Sequence, residues 1–271
     1  MWARISENLY RRRNALGLAA CTGVLYFTSF CGYDQHYLAW PCFAPVLWAL
    51  DDESLTLGEA SLIGWAAGLV AHLGVYTWII GMLRDFGYLP LPLAVLGYVL
   101  LCLGQSSLFA VWGLGTHWLA SRRGLPLVWA APVVLVVTEW LYPALFPSYF
   151  ANSQYRQIPL LQACDLWGTL GLTFLLGLSG AVLYALLAWG VRRRGRFPAA
   201  AFTVGVVLLG GTLLYGYGAV ADMDDTVAHS EPRVTVGLVQ TNMGIYEKSD
   251  NPEEGLRRHR AQSQEVQAQG A

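Results

Sequence analysis

A chain of 271 residues that is 55% hydrophobic and only 13% charged is not an ordinary soluble domain, where about a quarter of residues carry charge. Its formal net charge of −1, with arginines in short runs between apolar segments, excludes a basic face for nucleic acid. A mean hydropathy of +0.42 points instead to a membrane protein.

Taken in order, residues 1–13 end in Arg11-Arg12-Arg13 and lead into the apolar run Ala15–Phe30. No A-x-A cleavage pattern follows it, so an uncleaved first span is expected. Further apolar runs lie at Tyr37–Leu50, Ala60–Leu83, Leu91–Ala120, Leu127–Tyr142, Gly168–Val191 and Ala199–Val220. At roughly twenty apolar residues per crossing, these make a helical polytopic membrane domain of about seven transmembrane helices, residues 1–222. The second run is short and holds Pro41 and Pro45, so it is expected either to span or to re-enter.

Arginine decides the orientation. An inside N-terminus gathers Arg4, Arg11–Arg13, Arg122, Arg123, Arg192–Arg194 and Arg196 in the cytoplasm and leaves Arg84 and Arg156 in the outer loops. The positive-inside rule therefore places residues 143–167 and the C-terminal tail outside.

Between the fifth and sixth runs, Pro143, Pro147 and Pro159 forbid a continuous helix. Trp140, Tyr142, Phe146, Tyr149, Phe150, Tyr155 and Trp167 fill the same stretch with aromatics suited to a membrane–water interface. The segment is expected to fold back over the outer leaflet, with Phe146, Tyr149, Phe150 and Trp167 walling an acyl-chain groove. Glu139, an ionisable group within an apolar span, is either a functional site or a carboxylate snorkelling to the outer interface.

Past Val220 a polar linker opens residues 223–271. Val234–Gln240 reads as a buried-type strand. Asn251-Pro252-Glu253-Glu254 then starts a helix running to about Gln269: a capping residue, a first-turn proline and two acids at the positive end of the helix dipole.

Cys21, Cys31, Cys42, Cys102 and Cys164 show no metal-ligand spacing and most resemble small buried hydrophobes, although Cys31 and Cys42 stand close enough at two helix ends to allow a disulfide. Cys164 has no His or Lys nearby in sequence to lower its pKa, which argues against a nucleophile. His72 and His117 read as packing or interfacial residues. Gln105, Ser106 and Ser107 read as hydrogen-bonding groups between helices.

Several segments together resemble apolipoprotein N-acyltransferases: Gly74–Trp78, Glu139-Trp140, Phe146-Pro147, Ser153-Gln154, Pro159–Gln162 with Asp165 and Gly168, Gly171–Phe174, and Val236–Asn242. The chain departs from the family's usual residues at Leu141 and Tyr142, at Leu145, and at Ser148 and Ser249. The resemblance implies a bacterial inner-membrane, multi-pass protein with a periplasmic tail that begins an incomplete α/β nitrilase-like domain with its first β-α unit. It implies a phospholipid acyl donor, a diacylated lipoprotein acceptor and no cofactor. Chemistry would pass through a thioester on a Glu–Lys–Cys triad, none of which matches a residue of this chain, so the chain alone is expected to be inactive. Glu139, Trp140, Phe146, Pro147, Tyr149, Phe150, Gln154 and Trp167 are the lipid-groove candidates. A transporter and a non-catalytic membrane anchor whose tail docks another protein are the other readings.

Overall fold

The computed structural model describes residues 2–146, 148–191, 197–229 and 235–270, and among these every regular element is helical. The chain divides into two units, residues 1–220 and 221–271.

In the first unit α1 (Trp2–Thr28) is followed by α2 (Ala44–Leu50), α3 (Leu57–Val75) and α4 (Trp78–Asp85). Next come α5 (Leu91–Gln105), α6 (Ser107–Arg123), α7 (Leu127–Leu141) and the short α8 (Ile158–Gln162). Two long helices follow, α9 (Cys164–Val191) and α10 (Ala199–His229), the last running past the unit's end at Val220. Three helical stretches are long and apolar enough to cross a membrane: Leu91–Arg123, α9 and α10. A fourth is obtained if α3 and α4, bent by 54° at their junction, are one broken span. Set beside the expected seven, α1 carries four arginines in its first half, and α7 has only 15 residues.

The run Tyr37–Leu50 is not a spanning helix. It forms a 3₁₀ turn, His36–Ala39, and then the seven-residue α2. Pro41 and Pro45 set that break by removing backbone donors. Phe43, Val46, Leu47 and Leu50 are buried, so this irregular backbone passes through protein and not lipid. Near the start of α2, the Val46 N–H donates to Thr22 Oγ1 on α1 at 3.1 Å. That bond satisfies one of the helix's orphan donors where water is excluded.

The core is aromatic at its centre. Phe109 and Trp112 of α6 meet Phe43 with ring centroids 6.3 and 5.1 Å away, and the Trp112 indole N–H donates to Ala131 O at 3.0 Å. Glycine lets α3 and α6 approach: a Cβ on Gly64 would stand 2.2 Å from Phe109 O, and one on Gly113 2.6 Å from Ala60 O. Such small-residue seams replace a hydrophobic driving force between helices in lipid.

The bundle has two chemically distinct ends. At one, Arg11 pairs with Asp52 and Arg12 with Glu59, which also closes the Thr56–Glu59 capping box of α3. Hydrogen bonding and the Arg11 cation hold the Asp52 carboxyl below its ordinary range, although its partial burial acts in the opposite direction. At the other end Asp34 pairs with Arg156 at 3.1 Å and accepts from Tyr155, whose phenol that carboxylate pushes up to about 12.

The second unit holds α11 (Ile245–Asp250) and α12 (Pro252–Ala268). Asn251 caps α12 by accepting from Glu254 N at 3.3 Å, and the helix ends at Gln269, as its sequence signals require. The expected strand is absent: residues 235–240 carry no strand, and residues 233–234 lie outside the described residues. A strand needs a neighbour for its N–H and C=O groups, and the described residues supply none.

Candidate functional site

The segment joining α7 to α9 is folded tightly onto the bundle. Tyr142 takes the extended conformation required of a residue before proline (φ −73°, ψ 126°), ending α7 at Pro143. A 3₁₀ turn, Phe150–Gln154, and α8 follow. Within α9 the chain kinks at Gly168, whose φ of +67° lies in a region that favours glycine.

Glu139 holds the segment in place. Its two carboxylate oxygens accept from Phe150 N at 2.9 Å and from Thr173 Oγ1 of α9 at 2.9 Å, while Thr173 Oγ1 accepts from Ala151 N at 3.2 Å. Three pieces of chain are thus joined by one carboxylate and one hydroxyl. The carboxylate of the half-buried Glu139 binds the protein's own chain, one backbone N–H and one side-chain hydroxyl. Thr173 was not visible as its partner, since one threonine in an apolar helix gives no directional signal.

Phe150 and Gln154 are core residues. Phe150 is fully buried, stacked on Tyr26 with centroids 4.8 Å apart and edge-on to Phe43 at 5.2 Å. Gln154 is also fully buried, and its Nε2 donates to His36 O at 3.0 Å and Ser153 Oγ at 3.1 Å. The 3₁₀ turn brings both inward, and the aromatic content of the segment could not reveal its inner face. Pro147 lies outside the described residues.

The other candidates lie nearer the surface. Trp140 is 69% exposed and Trp167 40%, the latter lying over Gly171. Phe146 meets Trp78 and Tyr76 at centroid distances of 5.7 and 6.4 Å. Tyr149 packs at the rim of a small core of Ala151, Leu160, Leu172 and Leu175. Beneath them runs a polar belt. Gln105 Nε2 donates to Tyr76 Oη at 3.4 Å, Leu145 N to Gln105 Oε1 at 3.4 Å, and Ser106 Oγ lies 3.3 Å from His72 Nδ1. Gln105 and Ser106 therefore do bond between helices. Tyr76 and Trp78 lie in the Gly74–Trp78 segment singled out above, but their contact with Phe146 was not legible because it joins distant parts of the chain.

All five cysteines are free, so Cys31 and Cys42 form no disulfide; Cys42 is buried with its thiol directed at Thr22 O, 3.5 Å away. Among the described residues no three His, Cys, Asp or Glu side chains gather as a metal site. At the arginine-rich end, a cavity of about 670 Å³ is lined by Leu50, His117, Leu127, Tyr184, Phe197 and Ala201.

Long apolar helices, glycine seams and an aromatic segment latched across one end define a polytopic helical membrane protein. The particular family is set by residues 22–182, which match the family model of the apolipoprotein N-acyltransferase N-terminal domain; the chain belongs to that family. It is 31% identical over 237 residues to the apolipoprotein N-acyltransferase of Nitrosomonas europaea, covering 84% of this chain and 43% of that protein. The Geobacter metallireducens apolipoprotein N-acyltransferase is 29% identical over 211 residues, 76% of this chain and 40% of the relative. The one from Chromobacterium violaceum is 30% identical over 234 residues, 83% of this chain and 42% of its own. The chain thus spans about two-fifths of the length of these curated relatives.

Proposed function

We propose that this chain is the membrane module of an apolipoprotein N-acyltransferase, embedded in a bacterial inner membrane with its arginine-rich end cytoplasmic. The described ends of the bundle agree with seven crossings, counting the buried passage through Tyr37–Leu50 as one. The tail is then periplasmic. The observation that carries the reading is the outer segment itself, an aromatic-rich surface fixed by Glu139 and Thr173 at the end of the bundle where an acyl chain would be handled. Trp140, Phe146, Tyr149 and Trp167 are the wall residues in this proposal, and Glu139, Phe150 and Gln154 hold the wall in position.

The reaction is a two-step acyl transfer. A thiolate attacks the ester carbonyl of a phospholipid, forming a thioester and releasing the lysophospholipid alcohol with a proton from the general acid. The α-amine of a diacylglyceryl-cysteine then attacks the thioester, expels the thiolate and loses its proton to the base. Within these 271 residues Cys42 and Cys102 are buried, the partly exposed Cys164 has only the acidic Asp165 beside it in sequence, and the exposed Cys21 and Cys31 have only uncharged sequence neighbours, Ala20 and Thr22, and Phe30 and Gly32. We therefore assign the nucleophile to a Glu–Lys–Cys domain and the lipid platform to this chain.

The test is to express the chain in cells depleted of their own N-acyltransferase and to follow lipoprotein N-acylation by mass spectrometry. Triacylation is expected only when a Glu–Lys–Cys domain is joined to the tail. Triacylation by these 271 residues alone would overturn the division of labour, and none with the domain joined would overturn the function.

A further inference from the structure

α10 rests on the bundle along one narrow line. Of its 31 residues only Ala201, Thr212 and Gly216 are buried. Leu208, Leu209 and Leu213 pack against the small core of Ala151, Leu160, Leu172 and Leu175. With Thr212 and Gly216 they recur at three- and four-residue intervals, which is one face of a helix. The opposite side is open: Val207, Leu214 and Tyr217 are exposed, and a Cβ on Gly210, Gly211 or Gly218 would meet nothing within 4 Å.

Gly216 is where the line is tightest. A Cβ there would stand 1.7 Å from Pro159 O and 2.6 Å from Pro159 C, backbone atoms of α8 that cannot turn aside. One residue earlier, Tyr215 Oη donates to Asp165 Oδ2 at 3.4 Å. Only a residue without a side chain lets the two backbones approach so closely.

What α10 rests on is the outer segment. Ala151 N donates to Thr173 Oγ1, which donates to Glu139, and Leu172 and Leu175 stand beside Thr173 in α9. Leu160 follows Pro159 in α8. Tyr149, one of the wall residues, packs against the same core as Leu208, Leu209 and Leu213. The groove wall and the last long helix therefore share one small core. From Gly216 the helix continues unbroken to His229, about 20 Å at 1.5 Å per residue.

We propose that Gly216 is a positioning residue. By seating α10 on Pro159 it holds the helix that leads into the tail in fixed register with the groove wall, so that the bound acyl ester and the thiolate of the joined Glu–Lys–Cys domain are brought together. The inference deepens the proposed function and rests on it for the joined domain. A methyl group at residue 216 fits only if α10 moves off α8 by about 1 Å, and a misplacement of that size away from the chemistry costs about 100-fold in rate.

The test has two arms. In the full chain, reconstituted in phosphatidylethanolamine–phosphatidylglycerol vesicles, spin-labelled unnatural residues replace the exposed Leu141 on α7 and Tyr217 on α10. Their separation is read by double electron–electron resonance. Gly216→Ala should shift or broaden that distance, and Gly218→Ala, whose methyl meets nothing, should leave it unchanged. In the chain joined to a Glu–Lys–Cys domain, Gly216→Ala should lower kcat for N-acylation about 100-fold, with the phospholipid KM within about twofold. A flexible glycine–serine insert directly after His229 uncouples α10 from the domain. Against the unsubstituted protein with the same insert, Gly216→Ala should then cost less than about twofold. If Gly216→Ala does not insert, Leu213→Ala loosens the same seat without a clash. An unchanged distance would remove the seat. An unchanged kcat, or a loss just as large with the insert in place, would leave Gly216 a packing role only and overturn the proposal. No acylation by the unaltered joined protein would overturn the proposed function, and the positioning role with it, while the spin-label distance still reports the seat.

Discussion

Two stretches follow apolar helices in this chain, and their fates differ. The outer segment between α7 and α9 buries Phe150, Ala151, Ser153 and Gln154, whereas α12 of the tail buries no residue at all. In the tail Val236 and Leu238 are 74% and 91% exposed despite a β-favouring sequence. Local signals are equally good in both: Pro159 opens α8, and Asn251 with Pro252 opens α12. What separates them is a surface to fold against. Prolines and caps decide where an element begins, and only a facing apolar surface with matching hydrogen-bond partners decides whether it is buried.

The largest expected break in this contrast is Phe150→Ala. It removes the ring that stacks between Tyr26 and Phe43 and leaves a cavity, at a cost of about 3–5 kcal/mol. Thermal unfolding in detergent should show the loss, with early proteolysis in residues 148–157. Glu139→Ala comes next. It leaves Phe150 N and Thr173 Oγ1 without their acceptor, at about 1–3 kcal/mol. Glu139→Gln keeps one carbonyl oxygen for Phe150 N, and Thr173 can turn to accept from the amide. It should therefore recover most of the stability, with hydrogen exchange at the Phe150 and Ala151 amides as the readout. Equal losses for Ala and Gln would show that charge, and not hydrogen bonding, holds the segment.

The sequence made the local chemistry legible. Asn251 caps its helix as read, and Gln105 and Ser106 bridge helices. It did not reveal which way the aromatic segment faces. Phe150 points inward because residues more than a hundred positions earlier, Tyr26 and Phe43, shape a pocket for it, and Gln154 because His36 O awaits its amide. No periodicity in a short 3₁₀ turn encodes such contacts. Tyr37–Leu50 stayed open between spanning and re-entering for a related reason: hydropathy measures how apolar a run is, and a run buried in protein is as apolar as one in lipid. The strand at Val234–Gln240 failed differently, because β propensity describes fit to a sheet and none is present among the described residues.

If the tail owes nothing to burial, its apolar side chains should be dispensable for its own stability. Leu238→Ser should change the melting temperature of the full chain within error, a shift below about 0.5 kcal/mol, since the side chain is already solvated. A clear destabilisation would mean that Leu238 is packed in solution, and the two regions would then differ less than their exposures indicate.

The smallest effect concerns what does hold α12. Glu254 receives Arg257 and Arg258 at 2.6 and 2.8 Å, and Arg258 also reaches Glu247 at 3.1 Å. Hydrogen bonds from the two arginines hold the Glu254 carboxyl down at about 2, against an ordinary 4.5. Because the folded value lies below the unfolded one, the contribution is fully present above about pH 4.5 and lost as pH falls toward 2. The pairs are exposed, so salt should weaken them at neutral pH by screening. A peptide spanning residues 244–270 should therefore lose helicity, measured by circular dichroism, between pH 4.5 and 2, and Glu254→Gln should flatten that part of the profile. Helicity that rises on acidification would mean that repulsion among Glu253, Glu254 and Glu265 outweighs the arginine pairs. The tail helix would then depend on a partner surface as fully as the outer segment does.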